Sequence, residues 1–153
     1  MLIRPCEDSD LPAMARLFRA SALEFIVHDS PREGASNFLR ENDEEGLRGF
    51  TRSGQHVYHV ALDGGELAGF IAIRNNDHLY HLFVDRRWHR QGLARRLWEV
   101  ARTEALARGG AGSFTVNASN FAVPVYEAFG FERTGPLQCV KGLKVNPMRL
   151  AAR

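Results

Sequence analysis

The chain has 153 residues and a mass of 17.2 kDa, with 44% hydrophobic and 25% charged residues, which suits one domain over 1–153 with a core that needs no disulfide or metal staple. Its 20 Lys/Arg and 18 Asp/Glu leave a net charge of only +2, too small for a protein that holds nucleic acid through bulk charge. No apolar run reaches the roughly 18 residues of a membrane span, the first ten residues carry Arg4, Glu7, Asp8 and Asp10 where a secretory signal would be apolar, and the distant Cys6 and Cys139 read as reduced thiols of a cytoplasmic protein, with no metal site expected.

Leu2 to Pro5 reads as a first strand. Ser9 or Asp10 is placed to cap a helix that carries Pro12 in its first turn, and Leu11, Met14, Ala15, Phe18, Ala22, Phe25 and Ile26 make one apolar stripe before Pro31 stops it. Phe38, Leu39, Leu47 and Phe50 form a weaker helical region that the acids Glu41 to Glu45 and two glycines interrupt, so helix, break and helix are expected there. The period then changes to two. Val57–Leu62, Leu67–Ile73 and His78–Val84 read as an antiparallel meander, turning at Asp63-Gly64-Gly65 and Asn75-Asn76-Asp77. A helix from Gly92 to Arg108 with an inner face of Leu93, Leu97, Ala101 and Ala105 leads to a strand over Phe114–Asn117. Strand, helix and strand in that order imply a parallel βαβ crossover. A short helix capped by Ser119 or Asn120 ends at Gly130, and strands over Phe131–Val140 and Val145–Leu150 complete the chain. The expected fold is α/β, an α+β mixed sheet with antiparallel N-terminal strands and helices on both faces.

Two stretches concentrate the chemistry. In Asp85-Arg86-Arg87-Trp88-His89-Arg90-Gln91-Gly92-Leu93-Ala94 a strand ends and a long helix begins with no Ser, Thr, Asp or Asn at its cap. Its first N–H groups then lack side-chain partners and, with the positive end of the helix dipole, make either an anion site or a water-capped turn. Five of the chain's 18 Arg fall between residues 86 and 96 with no acid among them. Neither a P-loop nor a dinucleotide fingerprint is present. The second stretch, Asn117 to Phe131, puts Asn117, Ser119 and Asn120 at the C-terminal end of a parallel strand, where α/β sheets bind ligands. Tyr126 lies on the helix that follows, as a core residue or a functional phenol.

Taken together, the two stretches resemble the signature regions of the GNAT superfamily of N-acetyltransferases. The family's turn, Q/R-x-x-G-x-G/A, appears as His89-Arg90-Gln91-Gly92-Leu93-Ala94 after Leu82-Phe83-Val84. Its second region is matched by Ser119, Ala122, Tyr126, Gly130 and Phe131, with Asn117 just ahead, and Ile3-Arg4-Pro5 with Asp10-Leu11 resembles the usual opening. His89 departs from the family's Gln or Arg, and Ser119 stands where Asn is common.

The resemblance implies transfer of an acetyl group from acetyl-CoA to a primary amine of a small molecule or peptide. By the same resemblance the pyrophosphate sits on the N–H groups of Arg90, Gln91, Gly92, Leu93 and Ala94, helped by the Arg90 or Arg95 side chain, with His89, Asn117 and Ser119 alongside. The pantetheine arm pairs with Leu82, Phe83 and Val84, and an N–H near Phe83 or Val84 polarises the thioester carbonyl, an effect worth about 2.7–4 kcal/mol. Tyr126 matches the general acid. The fourth strand has no carboxylate to act as base, which leaves His81, preferred for its place beside the cofactor-pairing segment, or His78. The two face opposite ways on a regular strand unless a bulge intervenes. Glu24 and His28 are candidates for the acceptor pocket, and Glu41 to Glu45 either attract a cationic amine or form a solvated helix end. The alternative is a non-catalytic acyl-CoA-binding or regulatory module of the same fold. The resemblance also leaves room for a homodimer through the last strands. No nucleic-acid or membrane partner is expected.

Overall fold

A computed structural model describes residues 1–152. Eight strands and five helices are present: β1 (Leu2–Pro5), α1 (Leu11–Phe25), α2 (Arg32–Glu41), α3 (Glu44–Arg52), β2 (His56–Asp63), β3 (Glu66–Arg74), β4 (His78–Val84), α4 (Leu93–Ala107), β5 (Phe114–Ala118), α5 (Val123–Ala128), β6 (Glu132–Arg133), β7 (Gln138–Val140) and β8 (Leu143–Leu150). The sheet runs β1-β2-β3-β4-β5-β8-β6, with β7 paired to β8 outside that path. Among the described residues only β4 and β5 are parallel, joined through α4 as the βαβ unit requires. The mixed α/β sheet expected from the sequence is the one observed.

The sheet separates two apolar layers. Leu93, Leu97, Trp98, Ala101 and Ala105 of α4 pack with Tyr126, Phe129 and Phe131 on one face. Leu11, Met14, Phe18 and Ala22 of α1 pack with Leu47, Tyr58, Phe70 and Phe83 on the other. The alternation of burial along β5 follows from the two-residue period of a strand.

Several local expectations are corrected. The carboxylate of Asp10 does not cap α1; it is buried and takes hydrogen bonds from Arg4 at 2.8 and 3.0 Å and from the Glu7 N–H at 2.8 Å. The first helix stops at Phe25, short of Pro31, and a 3-10 turn over Val27–Asp29 follows. The helix after it starts at Arg32, directly behind Pro31 and well before Phe38. The strand expected over Phe131–Val140 is two short ones, because Gly135 and Pro136 interrupt the ladder. Cys6 is half-buried, as a reduced thiol in the fold can be, and burial pushes its thiol up to about 12, whereas Cys139 is exposed. Among the described residues no helix is long and apolar enough to cross a membrane.

Candidate active site

The cleft begins where β4 and β5 part. Their pairing covers only His78 with Thr115 and Leu79 with Val116. Beyond Leu79 the facing edge of β4 has no partner strand. Asp85 donates its N–H to the Ala68 carbonyl at 2.8 Å and Phe83 pairs with Phe70. By antiparallel alternation the backbone groups of Leu82 and Val84 therefore point away from β3, into the gap. The N–H of Phe83 points towards β3, which corrects one of the two expected polarising N–H groups: Val84 faces the gap, Phe83 does not, and Leu82, not expected in that role, faces it as well.

The gap widens into a cavity of about 820 Å³. One wall is the start of α4. Gly92 takes φ +80° as the residue before the helix, with no side chain capping the first turn, and Arg90 is also left-handed at φ +61°. Successive N–H groups in such a turn form a concave nest for an anion, and the helix dipole adds to it. Gly92, Leu93, Ala94 and Arg95 all line the cavity at this point.

The arginine cluster divides. Arg86 pairs with Glu24 at 2.9 Å. Arg87 pairs with Glu66 at 2.6 Å and Asp85 at 3.2 Å and lies over the Trp88 ring. Arg95 donates to the Ala128 carbonyl at 2.8 Å and covers Phe129. Arg90 lines the cavity and has no ion pair among the described residues. Free positive charge at the cleft is thus less than the sequence count of five, because acids distant in sequence fold onto the segment.

Tyr126 lies on the floor with a relative exposure of 6%. Burial alone pushes its phenol above the usual range, so it stays protonated at neutral pH. Ser119 lines the cavity while its hydroxyl accepts the Ala122 N–H at 3.2 Å. His89 lines it too, donating from Nε2 to the Val84 carbonyl at 2.8 Å. The ring occupies the last carbonyl of the open edge and leaves the N–H of Val84 free.

The remaining expected residues sit elsewhere. The side chain of Gln91 donates to the Arg87 carbonyl at 3.0 Å, away from the cavity. Asn117 is exposed and does not line it. Neither histidine on β4 lines it. His78 is bonded to Thr115 Oγ1 at 2.7 Å and pushed down to about 4 by burial and the nearby Arg74. His81 is buried, bonded through Nδ1 to the Tyr58 hydroxyl at 2.9 Å and pushed down to about 3 by burial. Both rings are therefore neutral near pH 7. His28 is exposed beside Asp29. Three of the four acids of 41–45 serve α3: Asp43 accepts the Gly46 N–H at 2.9 Å, and Glu44 and Glu45 both pair with Arg48, while Glu41 is the last residue of α2. None of the five-residue segment lines the cavity.

Sequence reasoning missed the far wall. Ser21, Phe25 and Ile26 from α1 reach the cavity with the anticipated Glu24, and Phe121 reaches it from the turn after β5. Phe25 stacks on Phe121 at 4.1 Å between ring centroids, with His89 at 5.6 Å from Phe25. The sign available in the sequence was a phenylalanine directly after the polar Ser119-Asn120 turn; its half-exposure is seen only in the fold. Among the described residues no group of three metal-ligating side chains exists.

Comparison with known families matches residues 26–152 to the acetyltransferase (GNAT) domain. Among solved structures, a GCN5-related N-acetyltransferase from Rhodopseudomonas palustris superposes with a TM-score of 0.80 at 24% identity, covering 97% of this chain and 93% of that one. PaiA N-acetyltransferase from Thermoplasma acidophilum, in complex with coenzyme A, gives 0.78 at 18%, covering 97% and 96%. A ribosomal-protein-alanine N-acetyltransferase from Brucella melitensis gives 0.68 at 19%, covering 98% and 99%. No match was found among curated proteins.

Proposed function

Since the chain belongs to the GNAT acetyltransferases, and is thereby an acyltransferase by family, we propose that it moves an acetyl group from acetyl-CoA to a primary amine by direct attack. The observation that carries this reading is the cavity itself: an uncapped nest, an open strand edge and a buried phenol line one continuous space. A diphosphate suits the first, an amide-rich arm the second, and a leaving thiolate the third.

Acetyl-CoA supplies the acetyl group as a thioester. The N–H groups of Gly92 to Arg95, with the Arg90 guanidinium, hold its pyrophosphate. Leu82 and Val84 pair with the pantetheine amides, and one of their N–H groups donates to the thioester carbonyl as charge builds on its oxygen. The neutral amine forms the new C–N bond as the C–S bond breaks. Tyr126 gives its proton to the departing sulfur. With His78 and His81 both outside the cavity, water takes the proton that the amine loses.

Thermal unfolding with and without acetyl-CoA tests the binding half. Ligand at about 100 times its dissociation constant stabilises by about 2.7 kcal/mol, roughly 5–10 °C in a chain of this size. Thiol release against a panel of amines tests the chemistry, and Tyr126→Phe is expected to lower turnover about 100-fold or more at unchanged acetyl-CoA affinity. No thermal shift overturns the reading. A shift without thiol release from any amine favours the acyl-CoA-binding module instead.

A further inference from the structure

The edge of β4 opens at one residue. Up to Leu79 the strand pairs with β5 and faces Ile73 of β3; from His81 onward it faces Ala72, and Tyr80 is the extra residue between the two registers. A bulge of this kind sends two neighbouring side chains to the same face and bends the strand. Accordingly, Leu79 and Leu82 both pack in the α4 layer, while Tyr80 and His81 both turn to the α1 layer. Pairing with β5 ends at the residue before the bulge, and Leu82 is the first residue beyond it whose N–H points into the gap.

A side-chain bond ties His81, the residue directly after the bulge, to β2. Tyr58 and His81 lie opposite Ala72 from its two sides, one on β2 and the other on β4. The methyl of Ala72 leaves room above β3, and the Tyr58 hydroxyl reaches across it to His81 Nδ1 at 2.9 Å. The rings of Phe18, Phe70 and Phe83 surround the imidazole at 5.4, 6.2 and 5.7 Å. In so dry a setting the bond has no water to replace it, and losing one partner leaves the other unsatisfied.

We propose that Tyr58 and His81 are positioning residues: their bond across Ala72 sets the β4 bulge so that the Leu82 N–H is aimed at the thioester carbonyl, with no proton passed to either side chain. Burial raises the Tyr58 phenol and lowers the His81 imidazole, which keeps both neutral and suits a fixed strut. This assignment rests on the acetyl-CoA reading above.

The test compares acetyl-CoA with CoA, which lacks the carbonyl. Titration calorimetry on wild type and Tyr58→Phe is expected to show acetyl-CoA affinity falling about fivefold in the variant, the loss of one hydrogen bond, with CoA affinity changed less than twofold. The carbonyl carbon resonance of bound 13C-acetyl-CoA is expected to move back towards its free value. The pair Tyr58→Phe/His81→Leu removes both polar groups, so melting temperature is expected to recover while the preference for acetyl-CoA does not. Equal losses for both ligands, or an unchanged preference and carbonyl resonance, overturn the proposal alone. If wild-type protein binds neither ligand, the acetyl-CoA reading falls as well.

Discussion

Helices α3 and α4 begin in opposite ways. The first turn of α3 is closed by its own chain: Asp43 accepts the Gly46 N–H, and Glu44 and Glu45 place negative charge at the positive end of the dipole. The first turn of α4 has Gly92 before it, no side-chain cap and no acid, and it faces the cavity. A helix that leaves its N–H groups unpaired next to a cavity gains nothing for its own stability from doing so, and the deficit is offset when an anion binds.

The comparison breaks most sharply if α4 is given the start that α3 has. Gly92→Asp supplies a carboxylate to the same N–H groups, and acetyl-CoA is expected to bind about 100-fold more weakly, equivalent to about 2.7 kcal/mol. Gly92→Ala carries the same backbone strain at φ +80° without the charge, and calorimetry should place it nearer to wild type; equal losses in the two variants would mean that backbone strain, not charge, is responsible. A smaller effect is expected from the arginines. Arg90→Ala should weaken acetyl-CoA about tenfold, the loss of one charge-assisted contact, and reduce the salt dependence of binding. Arg87→Ala should leave it within twofold, because Arg87 is already neutralised by Glu66 and Asp85; similar losses for both would show that the cluster acts by total charge. The smallest change belongs to the closed helix. Asp43→Ala should cost about 1 kcal/mol, a melting shift of about 2–4 °C, with acetyl-CoA affinity unaltered. Weaker binding in that variant would show that the two helix starts are coupled.

How much was legible depended on sequence distance. The start of α4 could be read because strand end, turn and uncapped helix occupy one continuous stretch, and the absence of Ser, Thr, Asp or Asn before Leu93 is itself visible. Tyr126 could be read from its place between Ser119 and Gly130. The histidines were legible as residue types only. A bulge is a one-residue shift against a neighbouring strand, and nothing in His78-Leu79-Tyr80-His81 marks it. Once Tyr80 is the extra residue, His81 turns into the aromatic layer and meets Tyr58, 23 positions earlier. The acids of 41–45 were visible as charge, but that Arg48 and the Gly46 N–H absorb three of them depends on where α3 begins.

By itself, then, the sequence determined the order of elements, the mixed sheet, the crossover and the chemistry of the turn at Gly92, since each follows from periodicity, capping and glycine within a short window. Tertiary structure alone decided which arginines remain free, which wall α1 and Phe121 add to the cleft, and that His81 is buried against Tyr58 and does not line the cavity. Those outcomes depend on strand register and on charges or rings brought together from distant positions, and no local rule of spacing carries that information.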